Sequence, residues 1–218
     1  MRKRFIPGTG AALACLIATF PLEADTIVTT PFGYYTSQTQ LISINTLTDG
    51  SLVGSIHDAS LQVSFSSAME RLTAGDTWGT WNSPPATESS LPPVLYSSGV
   101  ADLSMTLTAP VNVFGFELEP DLGEVEPVTV TFFGTGSPFA LTLDPNGNSG
   151  ALLFAVSSET PITSVSVDDG LGDDFAIANV RYAQNPLVVP APEPPMLPIL
   201  AVLGGLIVRQ RRKKRAVP

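Results

Sequence analysis

Between residues 25 and 188 the chain alternates apolar and polar positions in short runs separated by turn formers. Leu41–Thr46 and Leu61–Ser66 alternate, and Leu103, Met105 and Leu107 share one face opposite Ser104, Thr106 and Thr108. Successive strand side chains point to opposite faces, so a period of two predicts strands with one face in a core. Val111–Glu119 continues the pattern, and Val128–Phe133, Phe139–Leu143, Leu152–Val156, Ile162–Val167 and Phe175–Tyr182 follow. Thr48-Asp49-Gly50, Asp121-Leu122-Gly123, Asp144-Pro145-Asn146-Gly147 and Asp168-Asp169-Gly170 punctuate them as turns. No long stretch holds a 3.6-residue period. One short helix is expected over Ser67–Ala74, where Met69 and Leu72 stand three apart, and Asn82–Pro93 reads as an irregular surface loop. Many short strands at this spacing predict an all-β fold, an antiparallel β-sandwich of jelly-roll type.

The ends depart from that pattern. Met1-Arg2-Lys3-Arg4 is basic, Ala11–Phe20 is apolar, and Leu22-Glu23-Ala24 ends on a small residue. This order predicts a signal peptide over 1–24, cut between Ala24 and Asp25 for export through the Sec translocon. Cys15, the one cysteine, falls inside it. A lipid-bearing role for Cys15 would leave too short an apolar region, interrupted by Pro7, Gly8 and Gly10. The exported part then has no cysteine, and so no disulfide, thiol nucleophile or thiolate metal site.

At the other end, prolines at 186, 190, 192, 194, 195 and 198 predict an extended, accessible spacer. Met196–Val208 carries no charge, and six basic residues follow over Arg209–Arg215. Thirteen residues make about 20 Å of helix against a hydrocarbon core of about 30 Å, short for a permanent span. The basic cluster would stay in the cytoplasm and fix the orientation. The expected organisation is a signal peptide at 1–24, a β-sandwich at 25–185, a Pro-rich linker at 186–195, a transmembrane helix at 196–208 and a basic tail at 209–218.

Pro192-Glu193-Pro194, the apolar segment and the Arg-rich end together resemble the PEP-CTERM sorting signal. The resemblance implies processing by exosortase, a membrane transpeptidase. It also implies transient anchoring in the inner membrane of a Gram-negative bacterium, then release to the cell surface or the exopolysaccharide matrix. Pro195 and Pro198 depart from the usual pattern by shortening the helix. Phe114-Gly115-Phe116, the Val-Thr-Val-Thr run from Val128, Thr160–Val165 and Asp174–Val180 are similar to a β-sandwich carried by many exported proteins with this signal. That pattern has an Asp where Ala178 stands.

Setting the ends aside changes the charge. Residues 25–188 hold two basic residues, Arg71 and Arg181, against eighteen acidic ones, a formal charge of −16. Nucleic acid is excluded as a partner, because displacing its counterions takes Lys and Arg. The balance favours solubility and cation binding.

Candidate chemistry is sparse. Asp168, Asp169, Asp173 and Asp174 lie within seven residues and form a candidate metal site, for which Ca²⁺ is the cation that would suit oxygen ligands. A solvated turn is the plainer reading. Asp144, Asn146 and Asn148 have the one-three-five spacing of a calcium loop, but Ser149 and Ala155 stand where such a loop needs Gly and Glu, so a hairpin turn is expected. Trp78 and Trp81 could stack on sugar rings, although residues three apart on a strand face opposite sides. Glu117 and Glu119 share one strand face, with Glu124 and Glu126 following. Paired carboxylates can hydrolyse glycosides. His57, the only histidine, has no partner for a metal site and no catalytic triad around it, and is expected to form a surface pair with Asp58. No catalytic signature emerges. The expectation is a non-enzymatic, exported structural or adhesive protein with weak glycan or Ca²⁺ binding. The alternative is an exported polysaccharide hydrolase using Glu117 or a neighbouring carboxylate.

Overall fold

The computed structural model describes residues 25–31 and 33–188. The signal peptide at 1–24, the sorting motif Pro192-Glu193-Pro194, the helix at 196–208 and the basic tail lie outside the described residues. Among the described residues no helix is long and apolar enough to cross a membrane.

The elements in chain order are β1 (Thr26–Val28), α1 (Tyr34–Gln38), β2 (Gln40–Leu41), β3 (Leu52–His57), β4 (Gln62–Thr73), β5 (Pro93–Tyr96), β6 (Asp102–Pro120), β7 (Val128–Gly134), β8 (Phe139–Leu143), β9 (Leu152–Asp168) and β10 (Phe175–Ala183). All strand pairings are antiparallel. One layer runs β3, the first part of β4, the first part of β6, the second part of β9, β7 and β8. The other runs the end of β4, β5, β10, the second part of β6, the first part of β9 and β1. β4, β6 and β9 thus pass from one layer to the other. In the β6–β9 pair the register shifts on either side of Val111. Bends of this kind let long strands turn the corner of a sandwich.

The core lies between the layers. Leu103, Met105 and Leu107 enter it from one part of β6, and Phe114, Phe116 and Leu118 from the other. Phe116 and Phe154 stack with centroids 6.4 Å apart. The predicted strands over 103–108 and 111–119 are one continuous β6, and those over 152–156 and 162–167 are one β9. Of Leu41–Thr46 only Leu41 lies in a strand, although Ile42 and Ile44 still reach the core.

The helix expected over Ser67–Ala74 is instead the second half of β4. Met69 and Leu72 face opposite sides, as strand residues three apart must. Met69 joins the main core and Leu72 packs on a second, smaller apolar cluster. Both faces are covered there, so an apolar spacing of three arises without a helix.

That cover distinguishes the two halves of β6. Over Asp102–Leu107 buried and exposed residues alternate, whereas all residues over Val113–Pro120 are buried. The segment 74–92 and helix α1 lie over the second layer. Tyr35 is buried against Gly115, where a Cβ would sit 2.8 Å from the tyrosine oxygen and collide with Ala155.

Candidate functional site

Two sets of buried carboxyl groups stand out, and they are built differently. The first is on the covered face of β6. Phe114, Phe116 and Leu118 point to the core, so Glu117 and Glu119 point the other way, under segment 74–92. Both are fully buried. Glu117 accepts hydrogen bonds from Trp81 Nε1 at 3.1 Å, Asn179 Nδ2 at 2.9 Å and the Glu88 amide at 2.6 Å. Glu119 accepts from Trp78 Nε1 at 3.0 Å, the Thr80 hydroxyl at 3.0 Å and the Gly150 amide at 3.3 Å. Burial pushes Glu117 up to about 7 and raises Glu119, while these donors pull in the opposite direction.

The indoles lie on Ala176, Ala178, Ala151 and Val94, small enough to let a flat ring rest on the sheet. The tryptophans expected as a sugar platform are therefore buried, at 6 % and 4 % exposure, and present no free face. They sit in a segment that folds back over the sheet rather than in a strand, so the opposite-face rule does not separate them. Asn179 reaches Glu117 because it occupies a β-bulge with φ of 51°, a conformation Asn tolerates. Arg181 completes the cover with two hydrogen bonds to Glu88, at 2.6 and 2.7 Å. Glu88 thus fastens the segment twice, by its amide to Glu117 and by its side chain to Arg181. Arg71, the other basic residue of 25–188, pairs with Asp49.

The second set is at one end of the sandwich, where three loops meet. The Asp121 amide donates to the Asp174 carbonyl, and the Gly147 amide to that of Glu124. Thr129 at the start of β7 pairs with Asp168 at the end of β9, which sets Glu126 beside the 169–174 loop. Glu126 is fully buried, and neither carboxyl oxygen has a hydrogen-bond partner among the described residues. Its carboxyl is pushed up to about 7, by burial first and then by the Asp173 and Asp169 charges. Asp169 is also fully buried. One oxygen accepts from the Gly172 amide at 2.7 Å, and the other has no partner among the described residues.

The predicted set Asp168, Asp169, Asp173 and Asp174 is not gathered around one point. Asp168 turns to the Gly170 amide and Asp174 to the Tyr96 hydroxyl at 2.5 Å. No three His, Cys, Asp or Glu side chains among the described residues form a ready ligand set. The 144–150 loop is a tight turn, with an Asn146–Gly150 bridge and Asn146 Oδ1 accepting from the Asn148 amide. Asp58 turns from His57 to the Tyr182 hydroxyl, the Gln40 amide group and the Ser60 and Leu61 amides.

A groove of about 680 Å³ lies between α1 and the segment after β10. Its polar lining is uncharged and includes Gln38, Gln40, Gln184 and Asn185. Pro186–Val188, expected as open spacer, is fastened here. Gln38 exchanges two hydrogen bonds with the Val188 backbone, and the Leu187 amide donates to Ser157 Oγ. Two smaller cavities, of about 160 and 150 Å³, include one carboxylate between them, Asp25.

Comparison with protein-family models finds no match, and neither does comparison with curated proteins. Among solved structures, the chain is similar to the K2 cleaved adhesin domain of Lys-gingipain, with 13% identity and a TM-score of 0.37 over 67% of this chain and 98% of that one. It is similar to the family 32 carbohydrate-binding module from C. perfringens NanJ, solved with galactose, with 15% identity and a TM-score of 0.31 over 56% of this chain and 92% of that one. A family 11 carbohydrate-binding module from Clostridium thermocellum, solved with a mixed-linked tetrasaccharide, has 6% identity and a TM-score of 0.29 over 69% and 98%. None lends a site residue to this chain.

Proposed function

We propose that the chain is an exported, non-enzymatic structural or adhesive protein of the cell envelope or extracellular matrix. In this reading the β domain, a sandwich of jelly-roll type, is delivered by the Sec route. The tail around Pro192-Glu193-Pro194 anchors it transiently in the inner membrane until an exosortase-type transpeptidase removes it. The observation that supports a binding rather than a catalytic role is the state of Glu117 and Glu119. Each carboxylate is buried and held by three donors, so neither has a free oxygen aimed at a cleft. The uncharged, amide-rich groove beside α1 has the hydrogen-bonding character that suits weak contacts to neutral glycan hydroxyls.

The competing reading is a polysaccharide hydrolase with Glu117 as general acid. One observation favours it, a carboxyl pushed up to about 7 by burial. Catalysis would require segment 74–92 to lift away, breaking the Trp81 and Glu88 hydrogen bonds.

Mass spectrometry of the exported protein tests the sorting reading. A chain starting at Asp25 and ending near Pro194 is expected, and one retaining Arg209–Arg215 would overturn it. A glycan array run beside a reducing-sugar assay separates the other two readings. Retention without sugar release supports adhesion, whereas sugar release that disappears in E117Q establishes the hydrolase.

A further inference from the structure

Eight of the eighteen acidic residues of 25–188 fall in the three loops at one end of the sandwich, spanning 121–127, 144–150 and 168–174. Those loops contain no Lys, Arg or His. Both arginines of the domain are engaged elsewhere, with Asp49 and with Glu88. Negative charge alone would mark only a solvated surface. Two side chains here are not solvated. Glu126 and Asp169 are fully buried, and three of their four carboxyl oxygens have no hydrogen-bond partner among the described residues.

The backbone brings the chain at these two residues together. Pro127, next to Glu126, places its carbonyl oxygen against Gly170, next to Asp169, where a Cβ would come within 2.7 Å of it. The missing Cβ of Gly170 keeps that approach open, and its φ of +72° also favours glycine. Buried carboxyl groups in native proteins are paired with donors or with cations. Glu117 and Glu119 show the first solution in this same molecule. Glu126 lacks it altogether, and Asp169 has it at one oxygen only.

We propose that Glu126 and Asp169 are the side-chain ligands of a Ca²⁺ ion that ties the 121–127 loop to the 168–174 loop. Asp173 adds negative charge beside them, and loop carbonyl oxygens and water complete the coordination. The all-oxygen donor set suits a hard cation better than a soft one. Ca²⁺ suits two loops better than Mg²⁺, because it accepts six to eight oxygens in flexible geometry. This site differs from the one the sequence suggests, since its first ligand is Glu126, more than forty residues before the aspartate loop. None of these residues lines the groove beside α1.

The test uses the full chain in mild detergent at pH 8, stripped with EDTA, with Ca²⁺ or Mg²⁺ added alone. Bound calcium is counted by equilibrium dialysis and stability is read by thermal melting. Wild type is expected to retain one Ca²⁺ and to melt about 5 °C higher with it, and Mg²⁺ to do much less. E126Q and D169N should lose both the retained ion and the shift. E126Q should melt no lower than wild type in EDTA, since it removes a buried charge without removing a hydrogen bond. E159Q, which changes an exposed carboxylate on β9, should keep the full response. Absence of retained calcium in wild type, or an undiminished response in E126Q and D169N, would overturn the proposal.

Discussion

Glu117 and Glu126 are both fully buried, and both carboxyls are pushed up to about 7, with burial the largest cause. Their surroundings differ. Glu117 holds three donors, two of them on a segment that crosses over the sheet. Glu126 holds none among the described residues and feels the charges of four further carboxylates, Asp173, Asp169, Glu124 and Asp121. A buried acid surrounded by donors fastens structure, because its oxygens are already committed. A buried acid without donors has coordinating capacity left over. Neither burial nor a raised pKa separates the two cases. The count of donors does.

The sharpest way to break this contrast is to empty the Glu117 site. E117A leaves Trp81 Nε1, Asn179 Nδ2 and the Glu88 amide without their acceptor, and is expected to cost about 3 kcal/mol in urea unfolding at pH 6. If E117A is as stable as wild type, the carboxylate does not fasten the cover. G115A examines the same cover from beneath. Its methyl would meet Ala155 and the Tyr35 oxygen, for a loss of about 2 kcal/mol and a matching fall in melting temperature. W78F keeps most of the buried ring but removes the donor to Glu119, for an expected loss of about 1.5 kcal/mol.

The pH dependence sharpens the other side. The ordinary value for Glu126 is 4.5 and its folded value is about 7, so the folded protein binds this proton more tightly than the unfolded chain. The resulting stabilisation is fully present below about pH 4.5 and is lost as pH rises through 7, with a slope of up to about 1.4 kcal/mol per pH unit. Glu117 contributes a loss of the same sign over the same window. Melting curves in EDTA from pH 4 to 8 should therefore show falling stability, less steep in E126Q. A wild-type profile that rises across this range would contradict the folded values of both groups. The smallest effect is expected for T80A, about 1 kcal/mol, because Glu119 keeps Trp78 and the Gly150 amide as donors.

Much of the sandwich is legible in the alternation. Phe139–Leu143 is a strand with the bounds the pattern predicts, and Leu103, Met105 and Leu107 enter the core from one face of β6. The short strands β1, β3 and β5 are not marked by it. The candidate sites are less legible. Glu117 and Glu119 are visible as a same-face pair, but their donors are 29 to 62 residues away in sequence. Asn179 could be noticed only as an amide side chain inside the otherwise apolar run Phe175–Val180, the sign of a bulge. Glu126 reads as one more acidic loop residue. Its burial depends on the meeting of β7 with β9, which no local pattern contains.

The sequence by itself determined the all-β class, the positions of most strands, and the acidic, cysteine-free character of residues 25–188. Those follow from the period-two alternation and from composition, which are local or additive. The tertiary structure decided which alternating faces meet solvent. Ser104, Thr106, Glu117 and Glu119 all occupy outward positions on one strand, yet only the glutamates are covered. The reason is a non-local cover, the segment bearing Trp78 and Trp81, folded over half of that strand and fastened by the carboxylates it hides.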